Sequence, residues 1–308
     1  MTGVAGVSDL EKLLVVGASG LLGSKIMVQA RGRYDAIGTY NPEVDGADLW
    51  RLESLDVGSK DEVEKLFAEV VPNVVILTAA MTNVDACEKQ PVVANRINAS
   101  GPALVARACK SAGARLVHVS TDYVFDGTKK RKYVETDHPR PISVYGSSKL
   151  AGEKSVLSSL PTAAIARTAV LYGWNPIEGK ENFVTWSLKK LRAGERVTMF
   201  QDQHISPTFA DNLAGALLGL AGTDASGVFH VSGPDCFDRV VCGKMIANIF
   251  NLDENLIIPV KSNTLSLPAK RPAYSCLDIS KIEKLLNRKM ESFESGLRKM
   301  KSQESKKR

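Results

Sequence analysis

Tyr145 and Lys149 stand four residues apart in Tyr145-Gly-Ser-Ser-Lys149, followed by the helix-compatible Leu150, Ala151, Glu153 and Lys154. On a helix that spacing stacks both side chains on one face. A phenol, with its ordinary pKa of about 10, exchanges protons sluggishly near neutrality. An ammonium beside it favours the phenolate and lowers that value, so the pair could donate or accept a proton at a carbonyl or alcohol. The pattern alone is common by chance, and its lysine usually faces solvent. Here it has company. Ser120-Thr121 closes an apolar run at Leu116–Ser120, the kind of strand end where doubly wound sheets place ligands. A Thr121 hydroxyl there could bond the reacting oxygen; its plainer role is to cap a loop.

A second chemistry-bearing segment is Gly17-Ala18-Ser19-Gly20-Leu21-Leu22-Gly23, which follows the apolar run Lys12–Val16 and precedes a helical pattern over Leu21–Ala30. The first glycine permits a tight turn and the second lets the backbone approach a pyrophosphate. The third allows close helix–strand packing, and the helix N-terminus offers N–H groups to the anion. Glycine triplets also serve plain turns; the strand-to-helix context favours a dinucleotide. Tyr40-Asn41, after the second strand, carries no acid to bind a ribose 2′-hydroxyl. That favours NADP(H), with NAD(H) as the alternative.

These groups need a scaffold, and the chain supplies one. Strands are expected at Lys12–Val16, Asp35–Tyr40, Leu52–Val57, Val74–Thr78 and Leu116–Ser120. Helices are expected at Leu21–Ala30, at Lys60–Val70 behind the N-cap Ser59, and as one long element over Val92–Ala112 ended by Gly113. Continuously apolar strands alternating with helices mean right-handed crossovers and a parallel sheet covered on both faces. Further on, a strand at Ala163–Leu171, a helix at Asn182–Ala193, a strand at Val228–Val231, and helices at Val240–Phe250 and Ile279–Leu286 are expected. The fold class is therefore α/β: a Rossmann doubly wound parallel sheet with a smaller C-terminal α/β substrate lobe. Residues 1–170 form the NAD(P)-binding domain and residues 171–296 mainly the substrate lobe, with segments returning to the Rossmann layer. Residues 297–308 are expected to be a basic, disordered tail.

At the level of longer stretches the chain resembles a known family. Ser120-Thr121-Asp122-Tyr123-Val124-Phe125-Asp126-Gly127, then Tyr145 to Glu153, look like the extended short-chain dehydrogenase/reductase superfamily and, within it, the dTDP-4-dehydrorhamnose reductase family. Supporting matches are Ala79-Ala80-Met81-Thr82 with Asp85, Asn182-Phe183-Val184, Asp202-Gln203 with Pro207-Thr208, and Arg271-Pro272 with Ser275 and Leu277-Asp278. The resemblance spans roughly residues 12 to 290 and implies that Thr121, Tyr145 and Lys149 are catalytic. It also implies that Asp56 and Val57 approach the adenine, and that Ala79, Ala80 and Met81 line the cofactor path. Asp122, Tyr123, Asn182 and Arg271 would fall near a nucleotide-linked sugar. The reaction implied is reduction of the C4 ketone of a dTDP-6-deoxy sugar with NADPH in dTDP-rhamnose biosynthesis, by a homodimer. Three positions depart from the pattern: Met81 and Val170 stand where the family often has aromatic residues, and Ile205 where it usually has glycine. The same sequence family includes the methionine adenosyltransferase regulatory β subunit, which stretches such as Asn98–Gly101 and Phe229–Gly233 also fit. A regulatory dinucleotide-binding subunit, or another sugar-nucleotide reductase or epimerase, is thus the alternative.

Composition narrows the remaining classes. The chain has 308 residues and a net charge of +6. From Leu297 onward, six basic residues face one acid, Glu304, so most of the excess lies at the C-terminal end. A near-neutral body does not point to nucleic acid, and Trp50, Trp174 and Trp186 form no stacking stripe. No apolar run reaches membrane-spanning length, and the first residues show no secretory pattern, so a cytoplasmic location is expected. Cys87, Cys109, Cys236, Cys242 and Cys276 are scattered without metal-ligand spacing. They are read as reduced packing residues, with no metal site. His118, inside an apolar strand, is read as a satisfied core residue.

Overall fold

The computed structural model describes residues 10–40, 52–175 and 181–305. In chain order the N-terminal half runs β1 (Lys12–Val16), α1 (Leu21–Ala30), β2 (Asp35–Tyr40), β3 (Leu52–Ser54), α2 (Lys60–Val70), β4 (Val74–Leu77), α3 (Val84–Lys89), α4 (Pro91–Asn95), α5 (Gly101–Ala112), β5 (Arg115–Thr121) and α6 (Val144–Ser159). It continues with β6 (Ala164–Thr168), β7 (Leu171–Tyr172), α7 (Phe183–Arg192), β8 (Val197–Phe200), β9 (His204–Ile205), β10 (Thr208–Phe209), α8 (Ala210–Ala221), β11 (Gly227–His230), β12 (Phe237–Asp238), α9 (Arg239–Phe250), β13 (Ile257–Val260), α10 (Ser280–Leu286) and α11 (Phe293–Ser305).

A seven-stranded parallel sheet in the order β11-β6-β5-β4-β1-β2-β3 forms the centre. Alternate residues of each strand feed opposite layers, as strand geometry dictates. Leu13, Val15, Ile76, Val117 and Ala166 pack with Ile26 of α1 and Leu213 and Leu217 of α8. Leu14, Val16, Val75, Leu116 and Ile165 pack with Leu66 of α2, Val105 of α5 and Val156 of α6. Both faces are covered, which is why the strands read as unbroken apolar runs. The order reverses between β1 and β4, opening a crevice at their C-terminal ends.

The expected strand at Leu52–Val57 stops at Ser54, because its partner β2 ends opposite it at Tyr40. The long helix expected over Val92–Ala112 is interrupted by a π-helical turn at Arg96–Ser100. Pro102 lacks the N–H that would have bonded the Asn98 carbonyl four residues back, so the ladder loosens there. A π-turn inside a helix is often found at functional sites.

A second core gathers Tyr172, Val184, Leu188, Met199, Ile205, Phe209, Ile246, Phe250, Phe293, Leu297 and Met300. It corrects the expectation of a disordered tail for residues 297–305, the part that lies within the described residues. α11 is amphipathic, and its buried face (Phe293, Leu297, Met300) outweighs the charge that surrounds it. Its basic residues are engaged: Arg298 pairs with Glu294, Lys299 with Glu291, and Lys301 donates to the Ile249 carbonyl. The cysteine reading needs a second correction, because Cys236 and Cys276 form a disulfide across a sequence separation of 40. Cys87, Cys109 and Cys242 are free and buried.

Candidate active site

The crevice is a cavity of about 980 Å³. Its lining brings together the glycine loop (Gly17, Ser19, Gly20, Leu21, Leu22, Gly23), Tyr40, Asp56, Val57, Ala79, Ala80 and Met81 with Thr121, Asp122, Tyr123, Tyr145, Lys149 and Asn182. Asn41 lies outside the described residues. Arg271 is not among the lining residues. Its guanidinium makes a two-pronged bond to Asp85 on α3 (3.1 and 2.7 Å), and Asp85 also accepts the Ala269 N–H. This pair ties the 269–271 segment to α3.

The loop fits a dinucleotide. Gly17 has φ +94°, and a Cβ there would meet the Ala79 backbone nitrogen at 2.7 Å, so only glycine lets β1 turn beside the end of β4. Among the described residues no side chain caps the N-terminus of α1, and no acid occupies its first turn. Its N–H groups are left for an anion.

α6 places Tyr145 and Lys149. Ser143 caps its N-terminus, accepting from the Gly146 N–H. The buried face of the helix is Gly146, Ser148, Lys149, Gly152, Glu153 and Val156, mostly small or polar. Apart from Val156, which joins the hydrophobic layer, such a face seats against backbone. A Cβ on Gly152 would come within 2.2 Å of the Asn98 carbonyl. Asn98 itself is fully buried. Its side chain donates to the Met81 carbonyl (3.0 Å) and to Ser148 (3.1 Å), and accepts the Met81 N–H (2.8 Å). It therefore joins the cavity wall to the catalytic helix, a role the sequence reading missed. Two signals could have found it: Pro102 four residues on, and a buried asparagine inside a helical stretch.

Thr121 and Tyr145 line the same cavity. The Thr121 hydroxyl donates to Asp122 Oδ1 (3.0 Å) and accepts the Tyr123 N–H (3.2 Å), so it also makes the loop cap considered above. Tyr123 packs edge-on against Tyr145, centroids 5.7 Å apart. Lys149 is 2% exposed and donates to the Val119 carbonyl at 2.7 Å. The lysine's bond goes to that carbonyl, and the Tyr145 pKa is raised where a neighbouring ammonium was expected to lower it. The lysine stem crosses to β5, where a buried ammonium finds an acceptor. Burial pushes the Tyr145 pKa up, with the Thr121 hydroxyl pulling the other way. Burial lowers Lys149 to about 8, against an upward pull from Glu153.

Burial also raises Asp122 to about 6, opposed by the hydroxyls of Ser275 and Thr121. His118 is in the core as expected, but it is not satisfied: among the described residues neither ring nitrogen has a hydrogen-bond partner. Burial and the nearby Lys149 hold its pKa well below the usual value, so it stays neutral. Of the three departures from the family pattern, Met81 and Val170 line the cavity. Ile205 is buried in the second core beside β12 instead.

A Tyr-x-x-x-Lys helix lying against the C-terminal edge of a Rossmann sheet puts the chain in the extended short-chain dehydrogenase/reductase superfamily of oxidoreductases. Comparison with known proteins narrows this further. The family model for the RmlD substrate binding domain matches residues 11–305. The chain is 38% identical to dTDP-4-dehydrorhamnose reductase of Mycobacterium tuberculosis over 275 residues, covering 87% of this chain and 84% of the relative. It is 36% identical to a probable low-salt glycan biosynthesis reductase of Haloferax volcanii, covering 92% and 95%. Among solved structures, dTDP-4-dehydrorhamnose reductase from Bacillus anthracis, in complex with NADP, superposes with a TM-score of 0.86 at 31% identity, covering 96% and 99%. A UDP-glucose 4-epimerase from Thermotoga maritima shares the fold at 20% identity (TM-score 0.84). The chain belongs to the dTDP-4-dehydrorhamnose reductase family.

Proposed function

We propose that this protein is an NADPH-dependent reductase of a nucleotide-linked 4-keto-6-deoxy sugar, with Tyr145 as proton donor. One observation carries the reading: Tyr145 and Thr121 line the same cavity that the glycine loop opens. NADPH, bound on the α1 N-terminus, would supply the hydride to the ketone carbon. The residues do the rest. Thr121 turns its hydroxyl proton from Asp122 to the ketone oxygen, orienting it toward Tyr145. Tyr145 gives that oxygen its phenolic proton as negative charge develops there, which is general acid catalysis. A raised pKa keeps the phenol protonated until then. Lys149, at the base of the cleft, supplies positive charge to the phenolate left behind and would hold the nicotinamide ribose. Asp122, Tyr123 and Asn182 line the substrate end. Met81 and Val170 there offer the sugar aliphatic surface in place of aromatic rings, which points to a sugar packed differently from the one the family usually takes.

The site, and not the basic end of the chain, is what binds. The described helices include none long and apolar enough to cross a membrane, and we place the protein in the cytoplasm as a homodimer. The test is NADPH oxidation with a panel of dTDP- and UDP-linked 4-keto sugars, with NADH run in parallel. Turnover of a 4-keto-6-deoxy sugar, with NADPH preferred, is expected. Tight NADPH binding with no turnover of any member would sink the reductase reading and favour a regulatory subunit.

A further inference from the structure

Behind the catalytic pair lies a buried charge cluster with no part in the steps above. Glu153 stands one helical turn beyond Lys149, and both are 2% exposed. Its Oε1 accepts from Ser120 (2.5 Å) and from Arg167 Nε (2.9 Å), and its Oε2 from Arg167 Nη2 (2.7 Å). Arg167 lies on β6, 3% exposed, with its guanidinium over the Phe125 ring at 5.2 Å. No ion pair or hydrogen bond joins Lys149 to Glu153 among the described residues.

Buried ion pairs contribute little net stability, because desolvation offsets the attraction. A carboxylate held by three donors on two strands, next to a catalytic lysine, calls for another explanation. We propose that Glu153 is a positioning residue that keeps Lys149 cationic in the working site, with Arg167 and Ser120 fixing its carboxylate a turn away.

The geometry supports this in two ways. The bidentate bond to Arg167 engages both carboxylate oxygens, leaving Lys149 to bond Val119 and face the cleft. The bond to Ser120 pins the residue next to Thr121, so one carboxylate aligns the strand end and supplies charge to the helix. The surroundings leave few other sources of that charge. On its own helix Lys149 faces Tyr145 and Glu153. Neutral His118 comes from β5, Asp122 from the turn beyond it, and Arg167 from β6. Cys87 and Cys109, on α3 and α5, are held as thiols by burial. Glu88 of α3 is spent on the Val144 N–H at the start of the helix, and Arg96 on Asp56. Glu153 also gives Lys149 the upward pull that opposes its burial.

The inference rests on the reductase reading for its purpose, and two readouts separate the two. In protein carrying 13C-labelled lysine, the Lys149 Cε resonance, assigned by its loss in Lys149→Met, reports the titration without substrate. The Glu153→Gln variant should lower the midpoint by about one unit or more. The alkaline limb of kcat should move to lower pH by the same amount, with activity recovering on acidification. Glu153→Asp, which keeps the charge, should restore both. Should Glu153→Gln fail to fold with Arg167 stranded, Glu153→Gln/Arg167→Met removes both charges, and a smaller fall is expected. A Lys149 midpoint that does not move, or kcat lost equally at every pH, would overturn the proposal. Absence of wild-type turnover would strike the reductase reading alone, leaving the resonance to decide this one.

Discussion

Asp122 sits at the point where β5 delivers Thr121 into the cleft, and it is a carboxyl with almost no water around it. Burial raises its pKa from 3.8 to about 6. The folded protein therefore retains a proton that the unfolded chain releases between those values. The stability this group contributes is full below about 3.8 and is lost as pH rises through about 6. Asp122→Asn should raise unfolding free energy at neutral pH by roughly 3 kcal/mol and leave it unchanged near the lower value. Urea denaturation of both proteins at the two pH values checks this, and an equal difference at both would count against a buried, raised carboxyl. Tyr145 and Lys149 show the same pressure from burial. The phenol is held protonated and the ammonium weakened, the poise that the proposed proton delivery would use.

At the scale of elements, the two turns that build the site are set by residues with unusual backbone or packing demands. Gly17 and Gly20 play different parts. Gly17 has a left-handed φ and touches β4, so its replacement strains the fold. A Cβ on Gly20 would meet only the Gly17 carbonyl, at 3.4 Å. Gly20→Val should thus fold normally yet weaken NADPH binding by about tenfold or more, by blocking the approach of a pyrophosphate to the α1 N-terminus. Calorimetric titration reads the loss, and unchanged affinity would remove the anion from that loop. Much of this was legible in the sequence. The apolar runs of β1, β4 and β5, the cap of α2 and the span of α7 were placed within a residue or two, because local patterning and tertiary burial agree there. The long helix was not read correctly. Its π-turn lies where Pro102 interrupts the ladder and the Asn98 carbonyl seats against Gly152 of another helix, a contact no local pattern carries. Lys149 also went astray, since spacing set its face but a carbonyl on β5 chose its partner.

For the whole molecule, the two cores are tied together from the C-terminal end. β11 returns to the central sheet and α8 packs on α1, while α11 closes the second core with Phe293, Leu297 and Met300, all fully buried. Charge and composition made this last helix look like a loose end; only its fit against α9 shows otherwise. Leu297→Ala should cost about 2–5 kcal/mol, whereas alanine at exposed Arg298 should change stability by less than about 0.5 kcal/mol. Thermal or chemical unfolding distinguishes them, and equal, small effects would return the helix to a tail. The Cys236–Cys276 link closes a loop across a separation of 40 in the same lobe. Reduction should lower stability by about 3–4 kcal/mol if the closed loop restricts the unfolded chain; an unfolding midpoint indifferent to reductant would show the bond contributes nothing.

The most direct trial of the account compares Tyr145→Phe with the wild type, measuring kcat on a dTDP-linked 4-keto-6-deoxy sugar and the Kd for NADPH in parallel. Loss of the general acid predicts a kcat lower by about 10²-fold or more, with NADPH affinity changed less than about threefold because the loop and α1 are untouched. Undiminished turnover in the phenylalanine variant would contradict it.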